Sequence, residues 1–193
     1  MGEASERPVN LHPTLGCCGV DCGLCPRYHA DGTSRCPGCY GPDFFDKHPS
    51  CPFITCCVKK RKYDNCAQCD EFPCSRFEGM DRMDSFVTKQ RSLSNLDLVR
   101  EGGLDQFIDQ QGERIKLLKT MLARFNERRS KSFYCLAAAL LPIHDLEASL
   151  GDAEQELRDN GARHEDIKAR ASTLRRLLSG HASERGIELR LRH

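Results

Sequence analysis

The residues that could do chemistry here are cysteines, thirteen in a chain of 193 residues and twelve of them between Cys17 and Cys74. Three pairs, Cys22-x2-Cys25, Cys36-Pro-Gly-Cys39 and Cys66-Ala-Gln-Cys69, share a spacing that lets two thiolates from one tight turn face the same ion. One such pair is weak evidence, whereas three within sixty residues point to metal. Gly38 permits the tight knuckle in which backbone N–H groups aim at sulfur and stabilise its charge. Taken in order, the candidate ligands form two groups of five: Cys18, Cys22, Cys25, Cys36 and Cys39, then Cys51, Cys56, Cys66, Cys69 and Cys74. Two four-thiolate sites, each with one spare, follow. A partition in which one thiolate bridges two ions is equally open to the sequence. Cys17, Cys57 and Cys135 are expected to stand outside the ligand set.

Two metals suit such thiolates. The knuckles favour structural zinc, two ions, each closed by four sulfurs that supply folding energy. The alternative is iron–sulfur. Cys18-x3-Cys22-x2-Cys25 has the spacing of the three thiolates that hold a four-iron cluster in enzymes cleaving S-adenosylmethionine. The Cys-Pro dipeptides at Cys25, Cys36 and Cys51 echo the end of ferredoxin cluster runs. The barrel of the former enzymes does not fit in a chain of this length, and the compact ferredoxin run is absent. Disulfides are disfavoured, because the count is odd and the doublets Cys17-Cys18 and Cys56-Cys57 suit a disulfide framework poorly.

The ordered run CGVDCGLCPRY, CPGC, CPFITC, NCAQCDEFPC resembles domain of unknown function 3795, a prokaryotic cysteine-rich family held to bind metal. The resemblance covers Cys18 to Cys74 with ten cysteines at the family's spacing, and extends loosely into NLDLVREGGLDQFIDQQGERI. It implies metal binding and carries no activity. This chain departs from the pattern at Cys57, where a small residue is usual, which leaves an eleventh ligand open.

Other chemistry is thin. His29 and His48 lie among the cysteines and could complete a three-thiolate, one-imidazole site, although loop histidines are more often plain surface. His144 and His164 read as structural. Lys59, Lys60, Arg61 and Lys62 form a basic run suited to phosphate or to offsetting thiolate charge, with a solvated face the simpler reading. Asp70 and Glu71 have no partner at catalytic spacing, and no phosphate loop or nucleophile triad occurs, so no catalytic set is expected. Cys135 sits in an apolar run and reads as a core thiol.

The elements that must position the cysteines come in two kinds. Residues 1–15 lack periodicity and read as a mobile lead-in; residues 16–77 are rich in Gly, Pro and Cys and too poor in apolar residues to fold without an inorganic nucleus. Helical stubs are expected after Cys25 and over CCVKKRKYDN, and Phe44 and Phe45 either cover thiolates or fill core. Residues 78–193 have helical periodicity. Helices are expected over SNLDLVREGG, over 103–126, over KSFYCLAAALLP, from Pro142 to Asn160, and from Ile167 to Gly180, with period-two alternation in IELRLR suggesting a last strand. The fold class that follows is a small metal-stapled cysteine-rich module with little regular secondary structure plus an all-α C-terminal domain, closed by a short terminal strand.

A net charge of +1 gives no global field for nucleic acid or anionic membrane. No signal-peptide core and no run of about 18 apolar residues occurs, and Glu6 stands where a myristoylation motif needs Ser or Thr. A cytoplasmic protein that works through an unidentified protein partner, as an interaction or regulatory module, is the expectation.

Overall fold

Apolar residues recurring at three- and four-residue steps make helices, and in the computed structural model they do so throughout the second half of the chain. It describes residues 9–48, 51–161 and 165–193. A single turn, α1 (Phe44–Lys47), lies in the cysteine-rich region. It is followed by α2 (Ser92–Gly102), α3 (Leu104–Arg124), α4 (Lys131–Leu140), α5 (Ile143–Asp159) and α6 (Ile167–Glu184). Gly103, at φ 89°, separates α2 from α3 in a conformation that favours glycine.

α4 is buried from Tyr134 to Ala139, as an all-apolar run requires, and Cys135 lies within it. The Tyr134 hydroxyl donates to the Phe125 carbonyl at 3.0 Å. Leu146, Leu150, Ala153 and Leu157 of α5 share one core with Leu174, Leu178 and Ala182 of α6 and with Leu118 and Met121 of α3. The carbonyl end of α4 is closed by Arg114, whose Nη1 donates to Ala138 and Leu141 at 2.7 and 2.6 Å. A guanidinium suits that negative helix end. Burial, with Arg91 nearby, brings its pKa down to about 10.

A second core gathers Leu15, Ile54, Val58, Phe72 and Phe77 of the cysteine-rich region with Leu96 and Val99 of α2 and Phe107 of α3. Leu24, in return, joins the helical core. Both cores therefore cross the change in composition at residue 77. The lead-in is tied down over its described part: the Asn10 amide donates to the carbonyls of Leu15 and Cys39, each at 3.1 Å, and Leu15 is buried. Residues 1–8 lie outside the described residues, as does His164.

Three expectations are corrected. No strand occurs among the described residues; Leu15 and Asp21 form one isolated bridge, and the C-terminal tail meets no strand to pair with. Ile187 and Leu189 pack on the helical core instead. Asp84 holds the tail, its N–H donating to the Arg192 carbonyl and its Oδ2 accepting from the Arg192 N–H, both at 2.9 Å. α6 runs past Gly180 to Glu184, because Ala182 is buried and extends the apolar face. After Cys25 there is only a turn, and the stub at Ile54–Lys60 is a π-helix rather than an α-helix.

Candidate metal centre

The cysteine pairs are set by repeated local geometry. Cys22–Leu24 and Cys66–Gln68 are 3₁₀ turns, and in each the N–H of the second cysteine of the pair donates to the carbonyl of the first at 3.1 Å. Asn65 caps the second turn, its Oδ1 accepting from the Ala67 N–H at 3.1 Å. The third knuckle turns at Gly38, φ 89°, where a Cβ would sit 2.2 Å from the Pro13 carbonyl oxygen; glycine is required there by space and by φ alike. A backbone bond from Cys66 N–H to the Cys17 carbonyl, 2.8 Å, joins the first and last knuckle regions.

The module is docked on the helices by a buried carboxylate. Asp21 Oδ2 accepts from Asn95 Nδ2 of α2 and its Oδ1 from Gln111 Nε2 of α3, both at 2.8 Å. The same two amides also donate to the carbonyls of Gly19 and Thr14. Gln111 and Arg114 occupy the apolar stripe of α3 between Phe107 and Leu118. A polar residue on a core stripe is the sequence sign that a partner must meet it, and for Gln111 that partner is Asp21.

Among the thiols, Cys39 contacts both Cys17 and Cys22, and Cys57 contacts both Cys17 and Cys66. The sulfurs thus run in series from Cys22 through Cys39, Cys17 and Cys57 to Cys66. Cys17 and Cys57, which the spacing left out, are the links between the two groups of five. The contacts split the thiols electrostatically. Cys17, Cys22 and Cys66, which act as donors, are pushed up, with loss of solvent adding to the effect, while Cys39 and Cys57, which accept from two thiols each, are pulled down. Burial, with Cys39 nearby, raises Cys18 to about 12, against the pull of the Val20 N–H.

Cys25 neighbours Cys36 and accepts from the N–H groups of Arg27 and Tyr28, the bonding expected of a knuckle sulfur. Cys36 Sγ lies 3.3 Å from His48 Nε2, and Phe44 stacks on the His48 ring at 4.4 Å. Phe44 is buried core and Phe45 half-buried beneath Lys59. Cys51 faces Cys18; its neighbours Pro49 and Ser50 lie outside the described residues. His29 is turned to the Gly23 carbonyl, 2.7 Å from Nε2, and burial lowers its pKa.

Four cysteines of the second group wall a cavity of about 420 Å³ together with Cys57, while the fifth, Cys51, is not on its lining. Cys56, Cys57, Cys66, Cys69 and Cys74 line it, with Phe53, Phe72 and Phe77 packed edge to face on one side. Arg61, at its rim, pairs with Glu71 at 2.6 Å and also hydrogen-bonds to Cys56; both interactions hold the guanidinium charged. All thirteen cysteines are free thiols. Among the described residues no three His, Cys, Asp or Glu side chains converge closely enough to hold one metal ion. Five thiols lining one cavity form a set of soft donors.

Cys135 is remote from the cavity, and burial raises it to about 12. His144 lies against Asp145 and Arg185 on the helical side. No helix among the described residues is long and apolar enough to cross a membrane.

No curated protein and no solved structure matches the chain. Residues 14–79, the stretch that holds the thiol series, the three knuckles and the cavity, match the family described as a protein of unknown function, DUF3795.

Proposed function

We propose that residues 14–79 form a metal-binding module whose thiolates hold two inorganic centres, and that the module acts as an interaction or regulatory unit rather than as a catalyst. The observation that carries this reading is the ring of five cysteines around one cavity of about 420 Å³ in a chain whose thiols are all free. Thiolates packed this closely repel one another unless a cation lies among them. Structural zinc is the metal proposed for the first group, where Cys18, Cys22 and Cys39 neighbour one another and the Cys36-Pro-Gly-Cys39 knuckle is in place.

A second reading concerns the second group. A zinc ion draws four sulfurs to about 2.3 Å of itself, and the cavity is wider than that arrangement. Its width, with Arg61 and Arg76 on its lining to offset negative charge, favours an iron–sulfur cluster held by Cys56, Cys66, Cys69 and Cys74, with Cys57 as the spare.

Anaerobic purification followed by metal and acid-labile sulfide analysis tests both. Bound zinc without sulfide supports zinc in both centres; iron with sulfide supports the cluster. Protein with neither metal, and with every thiol open to modification in the native state, overturns the proposal.

A further inference from the structure

A second concavity beside the cysteine-rich region is a groove rather than a thiol cavity. It is open, has a volume of about 850 Å³, and runs between the loop after Cys25 and the far end of α3. Arg35 comes to it from the cysteine-rich region, Lys119 from α3, Arg128 from the α3–α4 connection and Lys131 from the first turn of α4. One carboxylate, Asp31, faces these four cations. In a chain of net charge +1 this is a local concentration of positive charge, and residues from four separate segments supply it.

The cations are positioned. Lys131 Nζ donates to the His29 carbonyl at 3.1 Å, and the Arg35 guanidinium lies 5.3 Å from the centre of the Tyr28 ring. Arg128 has φ 75°, a left-handed conformation uncommon for a side-chain-bearing residue, with its N–H bonded to Asn126 Oδ1 at 3.1 Å. Lys119 and Arg128 are exposed and, among the described residues, paired with no carboxylate. Small-molecule pockets are enclosed and mostly apolar. A polar, open groove with several cations and a ring at its edge suits a backbone of repeated phosphates carrying flat bases.

We propose that this groove binds single-stranded nucleic acid, with Lys119, Arg128, Lys131 and Arg35 on the phosphates and Tyr28 stacking on a base. The site is independent of the metal reading. It differs from the reading of the sequence, in which the net charge disfavours nucleic acid and the basic run Lys59 to Lys62 is a solvated face.

The test is fluorescence anisotropy of the full-length, metal-replete protein with short fluorescein-labelled single strands of mixed sequence, in RNA and DNA forms. Wild-type binding should fall linearly with the logarithm of salt. Lys119→Glu/Arg128→Glu should bind about tenfold or more weakly, whereas Lys60→Glu/Lys62→Glu, on the other basic run, should bind like wild type. Tyr28→Leu should weaken binding about fivefold with the salt slope unchanged. Circular dichroism checks that the variants fold. Arg128→Gly, which suits φ 75°, removes a cation without strain and should weaken binding even if the double variant does not fold. The proposal is overturned by a wild-type protein that binds no oligonucleotide, by wild-type affinity in the variants of Lys119 and Arg128, or by inorganic polyphosphate competing equally while Tyr28→Leu has no effect.

Discussion

A thiol that ligates and a thiol that only packs answer differently to the same substitution. Cys69 lines the cavity and Cys135 lies in the helical core. Cys69→Ser should lower the metal bound per chain, read by elemental analysis, while Cys135→Ala should leave it unchanged and cost about 1 kcal/mol of stability as a small core truncation. Cys57→Ser separates two roles for the extra cysteine: lost metal makes it a ligand, and unchanged metal leaves it as the hydrogen-bonded link between Cys17 and Cys66. The cysteine pairs were legible in the sequence because residue type and spacing within one tight turn are local properties. The series joining them was not, since the Cys17 to Cys57 contact depends on how the knuckle regions pack and no spacing rule reports it. Asp21 belongs to the same class, a carboxylate inside a cysteine motif whose partners Asn95 and Gln111 lie on two helices far along the chain. Asp21→Ala leaves two buried amides short of an acceptor, and should lower stability by about 3 kcal/mol, measured as a shift in denaturant midpoint.

At the scale of elements, helix positions followed from periodicity, and errors fell where tertiary contacts decide the ends. α6 passes Gly180 because Ala182 finds core, and the alternating tail is held by Asp84 and by packing of Ile187 and Leu189 rather than in a sheet, since no strand occurs among the described residues. The docking of the first knuckle on α2 is equally tight. A Cβ at Gly19, φ 85°, would lie 2.0 Å from the Ser92 carbonyl oxygen. Gly19→Ala should therefore part the loop from α2 and lower the denaturant midpoint, whereas Gly32→Ala, with φ 67° but nothing near its Cβ, carries the conformational cost alone. The pairing of α5 with α6 has an electrostatic part. Arg185 donates to Asp145 and, with His144 and His181 nearby, holds its carboxyl below the ordinary 3.8. A depressed carboxylate contributes stability above its unfolded pKa and loses it as pH falls through the folded value. Asp145→Asn should thus melt lower than wild type at neutral pH, with the gap closing below about pH 4. A gap that stays constant with pH would mean that the pair contributes nothing through charge.

At the scale of the whole molecule, two cores meet along α3, which supplies Phe107 to one and Leu118 and Met121 to the other. The helical core draws one residue, Leu24, from the cysteine-rich region, while the second core mixes that region with Leu96, Val99 and Phe107. This interlock was illegible in the sequence, where composition changes abruptly near residue 77 but the contacts that cross it join residues as far apart as His29 and Lys131. It makes the outcome of metal removal specific. The cysteine-rich region holds only short helical turns and a core interleaved with thiols, so on the proposed reading it should open without metal; α4, α5 and α6 bury their apolar faces against one another and should remain folded. Hydrogen exchange on protein treated with chelator under reducing conditions should show lost protection in α2, around Leu96 and Val99, with protection kept around Leu146 and Leu174. Far-UV circular dichroism should fall only in part, since most helical residues lie in α3 to α6. If α5 and α6 lose protection together with α2, the two cores form one cooperative unit and the metal sustains the entire fold. If α2 keeps its protection after metal is gone, the second core stands on Leu96, Val99, Phe107 and the Asp21 network alone.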